Sequence, residues 1–149
     1  MISRSHRVRL VAVVVAALVV LGTASAYAKP LSEKNWRKQA SAICNRTNRD
    51  IGAIDAEVFV DYTEPTPEQL SSFLDQALPV FDRAVAAIDA LDEPKALKRD
   101  VKRLVAAATA ELEALRTNPQ LLIETEGNAI PRTTRISRKL RITCGQEDR

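Results

Sequence analysis

The sequence predicts an all-α protein: an antiparallel up-down-up-down four-helix bundle with one disulfide, whose last helix is interrupted. Three observations lead there. Apolar residues recur every three or four positions in four segments separated by prolines, the period of a helix with one buried face. No run alternates with period two and aromatic residues make up only 4% of the chain, so nothing reads as a sheet. A cysteine stands in the first of these segments and another just beyond the last, Cys44 and Cys144, regions that are neighbours in such a bundle.

Residues 1–28 read as a targeting segment. Arg4, His6, Arg7 and Arg9 form a positive start, and Leu10 to Leu21 is an unbroken run of Leu, Val and Ala. That run is short of the roughly twenty apolar residues of a membrane span and suits the core of a secretory signal peptide. Small residues follow, and cleavage after Ala26 or Ala28 fits them; an uncleaved anchor is the alternative, in which case the membrane contact is through this segment alone. The helical domain is residues 29–149.

The first helix begins at Ser32, an N-cap, with Glu33 in the opening turn. Trp36, Ala40, Ile43, Thr47, Ile51, Ile54 and Val58 share one face, and the stop is expected at Tyr62-Thr63-Glu64-Pro65. Thr66-Pro67-Glu68-Gln69 is a capping box with proline at the first helical position. Leu70, Leu74, Ala77, Phe81, Ala84, Ile88 and Leu91 then keep heptad spacing, which predicts a bundle seam with Pro79 on the outer face. Asp92-Glu93-Pro94 restarts the chain, and Leu97, Val101, Leu104, Val105, Ala108, Leu112 and Leu115 mark a third helix, ended by Asn118-Pro119. Leu122, Ile123, Ala129, Ile130, Thr133, Ile136 and Leu140 suit a fourth helical face, but Gly127 and Pro131 interrupt it, so two shorter helices are expected.

Composition narrows the function classes. The whole chain carries a formal charge of +3, but residues 1–28 contribute three Arg and no acid, so the domain is neutral and its overall basicity is no sign of nucleic-acid binding. The one histidine, His6, lies in the targeting segment; without it, histidine triads and imidazole zinc sites are excluded from the domain. No nucleophile-base pair, metal-ligand cluster or Gly-rich phosphate loop is present in the sequence, so no catalytic residue, cofactor or metal is assigned. Two distant cysteines in an exported chain read as one structural bond; a redox pair would be closer in sequence.

Charge is segregated nonetheless. Glu68, Asp75, Asp82 and Asp89 repeat every seven residues along the second helix, a line for a basic partner or a solvated flank that pairs with Lys95, Lys98, Arg99, Lys102 and Arg103. At that spacing the carboxylates are about 10 Å apart, too far for one cation to bridge. Arg132, Arg135, Arg138, Lys139 and Arg141 form a basic patch for an anionic lipid, envelope polymer or phosphorylated ligand, or simply a solvated face that suits a helix C-terminus. Trp36 reads as a core anchor, with the floor of a ligand groove as its alternative role.

The signal segment, Trp36, Ala40-x-x-Ile43-Cys44, the proline-punctuated helices and Leu140-x-Ile142-x-Cys144 together resemble a group of small exported helical proteins of high-GC Gram-positive bacteria. The resemblance implies an envelope or extracellular location and a helical fold. It supplies no activity, ligand or catalytic residue. The reading that follows is a non-enzymatic binding or interaction protein with an unknown protein or envelope component as partner. Two alternatives stand beside it. One is a carrier of a small apolar ligand, with the bundle open near Gly127 and Pro131. The other is a helical enzyme of chorismate-mutase type, which would need Arg, Lys, Glu and Gln converging inside the bundle.

Overall fold

The computed structural model describes residues 30–60, 64–125 and 128–144; residues 1–28, read above as a targeting segment, lie outside them, as do Tyr62, Thr63 and Gly127 of the expected breaks. The described chain is all helical: α1 (Glu33–Val58), α2 (Pro67–Asp89), α3 (Lys98–Thr117), α4 (Leu121–Glu124) and α5 (Pro131–Lys139). Local chemistry sets the starts of the first two helices. Ser32 Oγ accepts from Asn35 N at 3.3 Å. Thr66 Oγ1 accepts from Gln69 N while Gln69 Oε1 accepts from Thr66 N, closing the capping box. Pro79 sits exposed within an unbroken α2, where its missing N–H faces water. The expected interruption of the last helix is present as α4 and α5. α1 ends at Val58, one turn before the proline-bearing stop read from the sequence.

Short connections make the packed neighbours antiparallel. α2 packs on α1 and on α3, and α3 packs on α5, whereas α1 and α5 make no close backbone approach along their lengths. A closed bundle would join that pair; here the seam between them is open. What ties them is the tail after α5. Arg141 takes a left-handed conformation (φ 59°), and the turn it makes is a Schellman motif, with Arg141 N donating to Arg138 O and Ile142 N to Ser137 O, both at 3.0 Å. The reversal sends Leu140 and Ile142 into the core and brings Cys144 to Cys44, bonded with their Cα atoms 5.3 Å apart. Arg37 Nε donates to Leu140 O and Thr143 N to Ser41 Oγ, at 3.0 Å each, on the same strip of α1.

The core is divided. One cluster, at the end holding the N-terminus of α1, gathers Trp36, Ala40, Leu97, Val101, Leu104, Leu140 and Ile142. The other, at the opposite end, gathers Phe73, Leu74, Ala77, Leu78, Leu112 and Leu115, with Ile51, Ile54 and Phe59 packed against it. Ile88, Leu104 and Ile142 on the edge of the first cluster and Phe81, Val85 and Leu112 on the edge of the second line the space between them.

α5 borrows its N-terminal cap. Its own preceding residue, Ile130, offers no side-chain acceptor; Glu111 of α3 accepts instead from Arg132 N at 2.7 Å, Thr133 N at 3.0 Å and Thr133 Oγ1 at 2.6 Å. A carboxylate on these amide donors satisfies groups that a helix start leaves orphaned and complements its dipole. Replacing Glu111 by Ala is expected to destabilise the fold by roughly 1–2 kcal/mol, the upper range for a lost N-cap, with the extra amide exchange confined to α5. Faster exchange spread evenly over all helices would show that Glu111 does not act through this cap.

Candidate functional site

Between the two core clusters lies a cavity of about 500 Å³. Each long helix gives its middle to the wall: Cys44, Thr47 and Asn48 from α1; Phe81, Ala84, Val85 and Ile88 from α2; Leu104, Val105, Ala108 and Leu112 from α3. Small residues at mid-height, Ala84 and Ala108, withhold the side-chain volume that would otherwise fill the seam. α5 and the tail supply the remaining side, chiefly Ile130, Thr133, Thr134, Ser137 and Arg138.

The wall changes character with depth. Leu104, Ala108 and Leu112 are buried, and Phe81, Val85 and Ile88 are half-buried around them. The exposed members are Asn48, Arg138, Thr143 and Cys144, all on the α1 and α5 sides, so the mouth opens along the seam those helices leave unpacked. Several hydroxyls near it are already engaged: Thr47 Oγ1 donates to Ile43 O, Thr134 Oγ1 to Ile130 O, and Thr133 Oγ1 to Glu111. Asn48, Ser137 and Arg138 make no side-chain hydrogen bond or ion pair with the described residues. Arg138 is the one charged side chain on the wall. A deep apolar pocket with a few unpaired polar groups at its rim is the usual form of a small-molecule site.

The charged groups read from the sequence are placed differently. Glu68, Asp75, Asp82 and Asp89 are all exposed on α2. They do not meet the cations near the start of α3. Asp82 instead pairs with Arg116 at the far end of that helix, a contact that raises the Arg116 pKa, while Lys98 pairs with Glu93 at 3.7 Å and Arg103 lies 3.9 Å from Asp100. The basic patch divides in three. Arg132, Arg135 and Lys139 surround a shallow groove against Asp100 and Arg103 of α3. There Lys139 Nζ lies 2.9 Å from Asp100, and that hydrogen bond holds the carboxyl below its ordinary pKa, with Arg99 and Arg103 adding to the effect. Arg138 turns to the cavity mouth, and Arg141 stays in the exposed turn. Trp36 is a core residue with no exposed surface and is not among the cavity-lining residues. The described residues contain no group of three or more His, Cys, Asp or Glu placed to hold a metal ion, and no described helix is long and apolar enough to cross a membrane.

Sequence reasoning did not identify Asn48, Thr134 and Ser137 as site residues. One signal was available. Thr133, Thr134 and Ser137 put a strip of hydroxyls beside the apolar positions Ile130 and Ile136, more polar than a sealed seam requires. Comparison with protein families, with curated proteins and with solved structures found no match to this chain.

Proposed function

We propose that this chain is an exported, non-enzymatic binding protein that carries a small apolar molecule between its helices. The observation that carries this reading is the split core: four helices leave about 500 Å³ unfilled at mid-height, apolar on the α2 and α3 sides, polar in part on the α1 and α5 sides, and open along one seam. Apolar wall left against water gains roughly 25 cal/mol per Å² when an apolar occupant covers it. The Cys44–Cys144 bond supports a life in an oxidising compartment, in keeping with the targeting segment. A catalytic site of chorismate-mutase type would need several converging charged groups, and one Arg on an otherwise uncharged wall suits binding better. The acidic line of α2 is the weaker candidate for a docking face, since Asp82 is already engaged by Arg116.

The test is saturable binding of a neutral apolar dye such as Nile red. Wild type is expected to bind one dye with a blue-shifted emission. Ala84→Trp, which puts an indole into the middle of the cavity, is expected to weaken binding at least about tenfold, or 1.4 kcal/mol, while its circular dichroism and melting stay close to wild type. No saturable binding, or equal binding by the variant, would overturn the reading. Native mass spectrometry of protein taken from its exported location identifies the cargo, as mass that leaves on denaturation.

A further inference from the structure

The cavity's chemistry narrows its occupant, and the narrowing rests on the carrier reading above. Arg138 is the one charged side chain of the wall, it is exposed at the mouth, and it has no ion-pair partner among the described residues. Its neighbour Lys139, on another face of α5, is by contrast paired with Asp100. Ser137 and Asn48 stand on the same wall with hydrogen-bonding capacity unused. Below them the wall is Phe81, Val85, Ile88, Leu104 and Leu112. One cation with neutral donors at the rim and hydrocarbon beneath is complementary to a molecule with a single anionic head and one apolar tail.

We infer that the ligand is a single-chain aliphatic carboxylate, its head held at the mouth by Arg138 with Ser137 and Asn48, its chain laid along the cavity between α2 and α3. A guanidinium presents two parallel N–H donors to the two oxygens of a carboxylate. One free cation balances one charge. Size agrees in order of magnitude: the cavity of about 500 Å³ falls within the roughly 300–1,000 Å³ of small-ligand pockets.

The experiment is displacement of bound Nile red from the full domain, with its disulfide intact, by myristate and by myristyl alcohol. The two share a chain and differ in the head, and mildly alkaline buffer keeps the acid ionised. Wild type is expected to prefer the carboxylate by roughly tenfold, as one charge-assisted pair would give. In Arg138→Gln the preference falls to near unity, and in Arg138→Lys, which keeps the charge without the fork, most of it returns. A wild-type ratio near one, with both compounds displacing the dye, overturns the carboxylate assignment while the carrier reading stands. A preference that survives Arg138→Gln overturns the role of Arg138. If the dye binds and neither compound displaces it, the single-chain class is wrong; if the dye never binds, the carrier reading fails and this inference falls with it.

Discussion

Replacing Cys44 and Cys144 together by Ala is expected to lower the unfolding free energy by several kcal/mol. The bond closes a loop of 100 residues, for which the chain-entropy model gives about 4.7 kcal/mol, and measured losses for native bonds in small secreted domains run at roughly 2–5. Against the 5–15 kcal/mol that holds a domain together, that is a large part of the whole. The structure adds a reason to expect the upper half of the range. α1 packs closely on α2, but its backbone makes no close approach to α5, and its hydrogen bonds to that side go to Leu140 and Thr143 at the end of the chain's last turn. Without the bond, that tail is held to α1 by the hydrogen bonds of Arg37 and Ser41 and by Leu140 and Ile142 alone. Urea titration of the double variant, followed by circular dichroism, checks this. A loss below about 1 kcal/mol would mean that the tail docks as firmly without its covalent link.

Trp36→Ala is expected to cost about 3–5 kcal/mol, as large-to-small changes at buried Trp and Phe sites do. Trp36 has no exposed surface and sits where α1, the start of α3 and the tail converge on one cluster. It also carries a burden: its indole Nε1 is buried with no hydrogen-bond partner among the described residues. Phe at this position removes that orphaned donor, worth roughly 1–3 kcal/mol, while giving up part of the ring's contact. Trp36→Phe is therefore expected to lie within about 1.5 kcal/mol of wild type. The contrast between the two variants is the measurement. Equal losses for Phe and Ala would show that the N–H is satisfied and that the whole indole is needed.

Trp36 also shows what the sequence could disclose. Its place on a period-3.6 face marked it as buried, and the same reading located the N-terminal caps at Ser32 and Thr66, because those signals act within four residues. Pro79 on the outer face of α2 and the break between α4 and α5 were legible for the same reason. Glu111 was not. It caps a helix that begins twenty residues later in the chain, and only the docking of α5 on α3 creates the contact. The cavity was hidden differently. Phe81, Ala84, Ile88, Leu104, Val105, Ala108 and Leu112 form apolar stripes whether they interlock or stand apart, since periodicity reports which face turns inward and not how far the facing helices come together. The acidic line of α2 was seen correctly as exposed, yet its partners were misjudged: Asp82 reaches Arg116 rather than the cations at the start of α3, since a sequence does not fix which levels of two helices stand opposite.

The cystine does one further thing, as a matter of covalent connectivity rather than energy. Residues 44 to 144 form a closed ring, and the connections between successive helices all lie inside it. A protease that cuts once in any of those connections produces two new ends but no fragment. The pieces stay joined through sulfur and can remain packed around whatever the cavity holds. On the exported role proposed above, a single cut becomes a scar and not a separation.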